Sequence, residues 1–319
     1  MRSITPPRRA NTRPPPAAAG VPAHPYDFGM PSAPLTSHRV PGACGLPILA
    51  DARTPEKGTA RATVLLGHGF KGYKEYGFLP RLGEVLAGAG FATVAFNFSH
   101  AGMTRPEGPF TREDLFALDT WNKQVADWHA LLQAVRSGRI PGVPADRPVA
   151  FFGHSRGGLS ALLAAARLAG DARPAAVVAA AAPADASRLS DADAATLRAG
   201  HAIESPSGRT GQTLRVLPSW LLEQDADPEG HDPVRAATTL GAAGVPLLVI
   251  HGTEDATVNP GDATRLAGAA GAAPVLVEGA DHVFGAPNPM PRSVAASDAT
   301  RRLFEETLRF LGSLAGTPR

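Results

Sequence analysis

Short apolar runs alternate with stretches of helical periodicity over most of this chain. The runs occupy residues 45–52, 62–69, 91–98, 148–155, 175–182, 246–253 and 273–280. Strands that are apolar along their whole length are typical of a mostly parallel sheet with both faces covered, and the segments between them can hold crossover helices. The pattern therefore predicts an α/β fold, with helices on both faces of the sheet.

Two of the predicted helices are especially clear. In residues 114–136, apolar residues recur at steps of three and four, and Thr111 with Asp114 resembles a capping pair at the start. We expect the tryptophans of this helix, Trp121 and Trp128, to belong to the core. A final helix, residues 299–314, carries an apolar face formed by Leu303, Phe304, Leu308 and Leu311.

One interval is too long to be a simple connection. About sixty residues separate the sixth apolar run from the fifth, and structureless loops of that length are uncommon in compact domains. We predict a small cap inserted at about residues 185–240. It would be partly helical around 'DADAATLRAG' (191–200) and 'PSWLLEQ' (218–224).

The basic residues are unevenly distributed. The 319-residue chain has a net charge of +2, whereas residues 1–34 alone carry +3 and nine prolines, so the remaining 285 residues carry −1. We interpret residues 1–34 as a disordered arm and residues 35–319 as the folded domain. A nearly neutral domain does not favour a nucleic-acid partner.

Cysteine content and hydropathy also narrow the classes of protein to which this chain can belong. The single cysteine excludes an internal disulfide and a zinc site built on several cysteines. No run of 18 apolar residues and no apolar leader core occurs. We therefore expect a cytoplasmic protein with no membrane partner, and the sequence makes no prediction of its oligomeric state.

The strongest chemical signal is 'GHSRGG' at residues 153–158, which follows an apolar run and precedes a helix-forming segment. This G-x-S-x-G pattern in a strand–turn–helix context is typical of a nucleophile held at a sharp turn, whose neighbours must lack side chains. We predict that Ser155 is the nucleophile. The backbone N–H of Arg156, at the helix N-terminus, would stabilise the oxyanion.

A serine nucleophile needs a base and an acid that orients the base. His282 follows the last apolar run and is the predicted base, because its position satisfies the chain order serine, acid, histidine. Asp255, at the end of the preceding run, is the predicted acid, and Asp185 is its rival. The adjacent carboxylates, Glu254 and Asp281, are expected to point away.

The loop after residues 62–69 offers two interpretations. In a hydrolase, the backbone N–H of Phe70 would be the second oxyanion donor, with His68 shaping the loop. Residues 67–72 also fit the dinucleotide pattern G-x-G-x-x-G, but the next run lacks the acid expected for a ribose. Neither a cofactor nor a metal is therefore predicted, and no two histidines have the i, i+4 spacing of a helical zinc pair.

Taken together, 'GHGFKG', 'GHSRGG', 'HGTED' and 'GADHVF' resemble the α/β-hydrolase family over roughly residues 38–315. Within that family the chain looks like the serine-dependent branch that is similar to dienelactone hydrolases, acyl-peptidases and feruloyl esterases. The resemblance implies the same catalytic and oxyanion residues. Dienelactone hydrolases themselves use a cysteine nucleophile, and here Cys44 lies far from the motif, so the resemblance does not support dienelactone as the substrate.

The expected activity is cleavage of a carboxylic ester, or a related acyl bond, of a small molecule through an acyl-enzyme on Ser155. A peptidase and an acyltransferase would use the same triad, and a non-catalytic binding protein on this fold is a further alternative. We expect four further residues to line the substrate pocket: Tyr73, Ser99, His100 and Trp220.

Overall fold

The computed structural model describes residues 34–105 and 108–316. Apart from Pro34, the arm predicted at residues 1–34 lies outside this part of the chain. The strands are β1 (Leu35–Pro41), β2 (Pro47–Arg53), β3 (Thr63–Gly67), β4 (Ala92–Asn97), β5 (Val149–His154), β6 (Ala176–Ala180), β7 (Ile203–Pro206), β8 (Thr213–Val216), β9 (Leu247–Gly252) and β10 (Val275–Val277). The helices are α1 (Leu79–Gly88), α2 (Glu113–Ala117), α3 (Trp121–Arg136), α4 (Arg156–Ala166), α5 (Asp191–Arg198), α6 (Ser219–Ala226), α7 (Pro233–Ala242), α8 (Gly261–Ala269) and α9 (Asp298–Gly312).

Eight strands form one sheet in the order β1-β2-β4-β3-β5-β6-β9-β10. The pairings from β4 to β10 are parallel, whereas β1 and β2 are antiparallel. Every residue of β3, β5, β6 and β9 is buried, as a sheet covered on both faces requires. The predicted mostly parallel sheet is confirmed. The antiparallel edge strand β1 was not predicted, because its residues are mostly exposed and form no apolar run.

Helices cover both faces of this sheet. On one face α1 contacts α9, and on the other α3, α4, α7 and α8 pack against one another in succession. The apolar face predicted for the last helix is confirmed, since its four named residues are all buried in α9. The carboxyl ends of the parallel strands meet at one edge of the sheet, which is where α/β folds place their sites.

Trp128 is at the centre of the core, as predicted. Its ring stacks on Phe151 with centroids 4.6 Å apart and meets Phe96 edge to face. The indole N–H donates to Ser160 Oγ at 3.0 Å, so this fully buried tryptophan leaves no polar atom without a partner.

The prediction of a single helix over residues 114–136 is wrong. The chain forms α2, breaks at residues 118–120, and begins α3 at Trp121. Thr120 caps α3 by accepting a hydrogen bond from the Lys123 N–H, whereas the predicted capping residue Asp114 pairs with Arg112. The periodicity continues through the break, which is why the sequence did not indicate it.

Between β6 and β9 the chain forms α5, the antiparallel hairpin β7–β8, α6 and α7. Helices were predicted at 'DADAATLRAG' and 'PSWLLEQ', and α5 and α6 confirm them. The hairpin was not predicted. Its four-residue strands are only partly buried and lack a long apolar run.

Candidate active site

Ser155 lies at the turn between β5 and α4 in a strained conformation, with φ 53° and ψ −121°. A non-glycine residue rarely adopts a positive φ, and such strain is concentrated at functional sites. The turn is held by the Ser155 N–H, which donates to the Ala180 carbonyl of the neighbouring strand at 2.7 Å. The hydroxyl is thereby fixed at the N-terminus of α4.

The two glycines of the motif are required by close backbone packing. A Cβ on Gly153 would lie 2.1 Å from the Gly157 carbonyl oxygen, and one on Gly157 would lie 2.4 Å from the His68 carbonyl oxygen. Both distances are far below any real contact. The turn at residues 153–157, here called the elbow, and the loop after β3 therefore fit together only because these glycines lack side chains.

The structure brings Ser155, His282 and Asp255 together. His282 Nε2 lies 3.0 Å from Ser155 Oγ, and His282 Nδ1 lies 2.8 Å from Asp255 Oδ2. Since a carboxylate only accepts, Nδ1 carries the proton and Nε2 is free to accept the serine proton. This is the geometry of a nucleophile, a base and an acid that orients the base.

Asp255 is the buried acid of this group, and its side chain has no exposed surface. Burial alone would raise the pKa of the Asp255 carboxyl. Hydrogen bonds from His251 and His282, followed by that from the Val258 N–H, outweigh the burial and hold this pKa well below its usual range. Asp255 therefore stays ionised throughout the neutral range.

The other carboxylates considered for this role lie elsewhere. Glu254 and Asp281 are exposed, as expected, and Asp281 accepts hydrogen bonds from backbone N–H groups of its own loop. Asp185 forms an ion pair with Arg265, with 2.8 Å between Oδ2 and Nη1. None of these three carboxylates is hydrogen-bonded to the ring of His282, whose Nδ1 is directed at Asp255.

Two buried histidines beside this group were not predicted. His251 Nε2 lies 3.0 Å from Asp255 Oδ2, and His154 Nε2 lies 2.8 Å from the His282 carbonyl oxygen. Each is a lone histidine within an apolar strand run, which was the only sequence signal available. The sequence motifs mark Ser155 and Asp255, and they contain no separate signal for these two histidines.

The predicted oxyanion donors, the N–H groups of Phe70 and Arg156, belong to segments on either side of Ser155. The backbone of Gly69 lies close to Ser155, because a Cβ added to Gly69 would be 3.1 Å from Ser155 Cβ. The peptide between Gly69 and Phe70 is therefore beside Ser155. Arg156 is the first residue of α4, so helix hydrogen bonding leaves its N–H without a partner in the preceding turn.

His68 fixes the loop that carries Phe70. Its Nδ1 donates to the Gly69 carbonyl at 2.8 Å, and its Nε2 accepts from the Phe98 N–H at 3.4 Å. Burial lowers the pKa of His68 to about 4, so the ring is neutral and keeps this pairing at physiological pH. The expected shaping role agrees with this position.

A cavity of about 350 Å³ opens beside Ser155. Its walls are mainly apolar and aromatic, and they include Phe70, Trp121, Leu189, Ile203, Val216 and Trp220. Of the four residues expected to line the substrate pocket, Trp220 borders this cavity. Trp121, predicted to be core only, is buried but also lines this cavity.

Tyr73, Ser99 and His100 are not among the described residues that line this cavity. Tyr73 is fully buried in a separate apolar cluster, and its hydroxyl donates to Asn288 Oδ1 at 3.3 Å. Ser99 Oγ donates to Asp127 at 2.9 Å and lies 2.8 Å from His100 Nδ1. These polar side chains follow strands near the site but turn inward to satisfy buried partners.

Arg156 extends from the elbow into an aromatic cage. Its guanidinium lies 4.7 Å from the Trp121 ring centroid, 5.1 Å from that of Phe70 and 5.7 Å from that of Trp220. Nη2 forms an ion pair with Asp119 at 3.0 Å, and both side chains are about nine-tenths buried. Asp119 lies in the break between α2 and α3, so the unpredicted break supplies the counter-ion of Arg156.

No group of three or more His, Cys, Asp or Glu side chains in residues 34–105 and 108–316 is arranged to hold a metal ion. Within the same ranges, no helix is both long enough and apolar enough to cross a membrane.

Comparison with known families agrees with this geometry. Residues 58–226, just over half of the chain, match the family model described as "Serine aminopeptidase, S33". The chain belongs to this α/β-hydrolase family. No curated protein matches it. The predicted family and fold are confirmed, and the protein is an α/β-fold serine hydrolase.

Solved structures show the same fold at low sequence identity. Est1E from Butyrivibrio proteoclasticus is 15% identical with a TM-score of 0.58, covering 88% of this chain and 99% of Est1E. The esterase domain of a Rhodothermus marinus protein is 19% identical with a TM-score of 0.59, covering 89% of this chain and all of that domain. A Mycobacterium tuberculosis puromycin-hydrolyzing peptidase is 21% identical with a TM-score of 0.59, covering 90% of this hydrolase but only 40% of the peptidase.

Proposed function

We propose that this hydrolase cleaves a carboxylic ester of a small molecule through an acyl-enzyme on Ser155. The observation that carries the proposal is the continuous set of contacts from Ser155 Oγ to His282 Nε2 and from His282 Nδ1 to Asp255. A serine hydroxyl becomes a useful nucleophile only when a positioned base takes its proton.

Each step of the proposed reaction is assigned to side chains of this chain and to water. Ser155 Oγ attacks the ester carbonyl while His282 Nε2 takes the hydroxyl proton, and Asp255 stabilises the imidazolium. The carbonyl electron pair moves to oxygen, where the N–H groups of Phe70 and Arg156 donate to it. The tetrahedral species collapses, the ester C–O bond breaks, and His282 returns the proton to the leaving alcohol.

Deacylation repeats these steps with water as the nucleophile. His282 takes a proton from the water, the new tetrahedral species releases Ser155, and the proton returns to Oγ. The acid leaves, and the enzyme returns to its starting state.

The size and the walls of the cavity favour a substrate with a small, largely apolar acyl group. Its volume of about 350 Å³ is near the low end for small-molecule sites, and its aromatic and aliphatic walls suit an apolar chain or ring. One similar structure has ferulic acid bound to Est1E, so an aromatic acyl ester belongs among the first substrates to test.

Labelling and turnover together test this proposal. A fluorophosphonate probe should label the wild-type protein and not Ser155→Ala, and ester turnover should disappear in the same variant. The panel pairs esters, thioesters and amides of the same acyl groups, varied in size. Equal labelling of both proteins would overturn the assignment of Ser155, and amide cleavage without ester cleavage would overturn the proposed bond type.

A second candidate, an aminopeptidase, is favoured by the description of the matched family model. Such an enzyme needs an acid near the nucleophile to bind the substrate ammonium group. Three acids line the cavity, of which Asp185 is paired with Arg265, and Asp193, in the first turn of α5, accepts a hydrogen bond from the helix-capping residue Ser190. Glu204, on β7, is the remaining acid.

The aminopeptidase candidate predicts a selective effect of Glu204→Gln. This variant should raise KM for aminoacyl amides and leave KM for uncharged esters unchanged. Equal KM values for wild type and variant on both substrate classes would rule out Glu204 as the ammonium site.

A further inference from the structure

His251 is a buried polar residue in a strand that is otherwise apolar. It lies near the end of β9, and its side chain has no exposed surface. Nε2 lies 3.0 Å from Asp255 Oδ2 and 3.2 Å from the Val258 carbonyl oxygen. Both neighbours are acceptors, so the ring holds its proton on Nε2 and donates from there.

The donor from His251 completes the set around the Asp255 carboxylate. Oδ1 accepts from the N–H groups of Thr257 and Val258 at 2.8 and 2.9 Å. Oδ2 is shared by His282 Nδ1 at 2.8 Å and His251 Nε2 at 3.0 Å. Each oxygen thus faces two N–H groups, of which that of His251 is shared with the Val258 carbonyl, and this arrangement orients the carboxylate toward His282.

The other ring nitrogen argues against a purely packing role. His251 Nδ1 is buried and has no hydrogen-bond partner among the described residues. A buried polar atom without a partner is unfavourable, and a leucine would fill the same volume without this penalty. The imidazole therefore costs stability at one nitrogen while its other nitrogen contacts the catalytic acid.

We propose that His251 is a positioning residue of the triad, holding Oδ2 of Asp255 on the line to His282 Nδ1. The inference rests on the proposed function, since it assigns Asp255 and His282 their roles. His251 itself does not touch the substrate, because Asp255 and His282 separate it from Ser155.

The surrounding titratable groups define what a pH profile would report. Asp255 faces His251 directly, and His282 faces Asp255 from the loop after β10. His154, on β5, faces His282 with ring centroids 4.9 Å apart, and burial together with the nearby His282 lowers the pKa of His154 to about 3. His154 therefore stays neutral across the acid limb, and Asp255, whose pKa is held well below its usual range, stays ionised there.

Two variants of His251 separate donation from packing. His251→Leu keeps a similar volume and removes the donor, whereas His251→Gln retains an amide N–H at similar reach. His129→Leu is the matched control, since His129 Nε2 is likewise bonded to a backbone carbonyl, that of Ala164 at 2.8 Å, but lies on α3.

Kinetics give the first result. We expect His251→Leu to lower kcat roughly tenfold with KM unchanged. The acid limb of the kcat/KM profile should shift to higher pH, because Oδ2 of Asp255 then has one donor fewer and carries more negative charge beside His282 Nδ1. His251→Gln should remain within about threefold of wild type, and His129→Leu should match wild type. Equal losses in the Leu and Gln variants, a loss in KM alone, or an unmoved acid limb would overturn the inference.

Proton NMR gives a second result that needs no turnover. The His282 Nδ1 proton, bonded to Oδ2, should give a downfield resonance that persists in wild type and His251→Gln and is lost by faster solvent exchange in His251→Leu. Persistence of that resonance in His251→Leu would overturn the role of His251. Absence of ester turnover in wild type would instead count against the proposed function.

Discussion

The Nε2 of His154 donates to the backbone carbonyl of His282 across a distance of 2.8 Å. His154, the residue directly before Ser155, therefore fastens the loop that carries His282. Burial, the largest cause, lowers the pKa of His154 to about 3, so the ring is neutral and its single N–H is available for this bond. This hydrogen bond thus joins the turn at Ser155 to the loop that carries His282 without involving the reacting atoms.

We predict that breaking this connection reduces turnover without removing the triad. His154→Phe keeps an aromatic ring but cannot donate, so kcat should fall roughly tenfold, as expected when a base is no longer held in one position. His154→Gln, which retains a donor, should lose less. The measurement is steady-state turnover with circular dichroism to confirm folding, and a folded His154→Phe variant with wild-type kcat would contradict the prediction.

The choice of acid can be tested with two matched carboxylates. Asp255→Asn should lower kcat by about 10³- to 10⁴-fold, because an amide can no longer hold His282 in the required tautomer. Asp185→Asn should change kcat little, since Asp185 is paired with Arg265 rather than with the base. Turnover of both variants on one ester decides the matter, and a severe loss confined to Asp185→Asn would reverse the assignment.

The sheet could be predicted from the sequence, and so could the segments that bring Ser155, Asp255 and His282 together, because both depend on local signals. Apolar runs mark strands buried on both faces, and G-x-S-x-G requires a particular turn. The chain order of Asp255 and His282 followed from the positions of the later strands. These signals involve residues close together in the chain, so a single sequence is enough to recognise them.

Other features depend on contacts between distant segments and were not predictable. The break before α3 leaves the helical periodicity intact, yet it lets Asp119 reach Arg156. Tyr73 and Ser99 were expected in the pocket because they follow strands near the site, but their hydroxyl groups donate to Asn288 and Asp127, away from the cavity. Hydrogen bonding between distant residues decided where these side chains point.

A glycine substitution tests the close packing between the elbow and the loop after β3. Gly157→Ala should greatly reduce activity, because its Cβ would lie 2.4 Å from the His68 carbonyl oxygen and would displace the Phe70 loop. Gly268→Ala is the control: it lies in α8 with no atom near the added carbon, so it should be neutral or stabilise by up to about 1 kcal/mol. Thermal unfolding and ester turnover measure both, and unchanged activity in Gly157→Ala would contradict the packing argument.

The buried His68 should make stability depend on pH. Burial lowers its folded-state pKa from 6.5 to about 4, so below pH 6.5 the unfolded chain binds a proton that the folded chain refuses. The neutral His68 ring makes its full contribution to the free energy of unfolding above pH 6.5. This contribution, about 3 kcal/mol, is lost as the pH falls to about 4. Unfolding in urea at a series of pH values measures it.

His68→Asn isolates this effect, because asparagine does not titrate and its amide can still donate to the Gly69 carbonyl. Between pH 6.5 and 4, the variant should lose about 3 kcal/mol less unfolding free energy than wild type. His201→Asn, at an exposed histidine, is the control. Parallel pH curves for wild type and His68→Asn would refute the prediction.

The ion pair between Arg156 and Asp119 should behave as a buried pair. Removing only the cation leaves a carboxylate inside the aromatic cage, and burial already raises the pKa of Asp119 against the opposing effect of Arg156. We expect Arg156→Leu to destabilise the fold by about 3–5 kcal/mol. The double variant Arg156→Leu/Asp119→Leu should recover most of that loss, because no buried charge then lacks a partner.

An exposed pair provides the comparison for this prediction. Arg265 and Asp185 are about half exposed, so Arg265→Leu should cost less than about 1 kcal/mol. Substitution of Arg156 leaves its backbone N–H in place, so the double variant should still react with a fluorophosphonate at Ser155. If the double variant is as unstable as Arg156→Leu, the loss arises from contacts of the guanidinium with the aromatic rings, and charge compensation by Asp119 is not its cause.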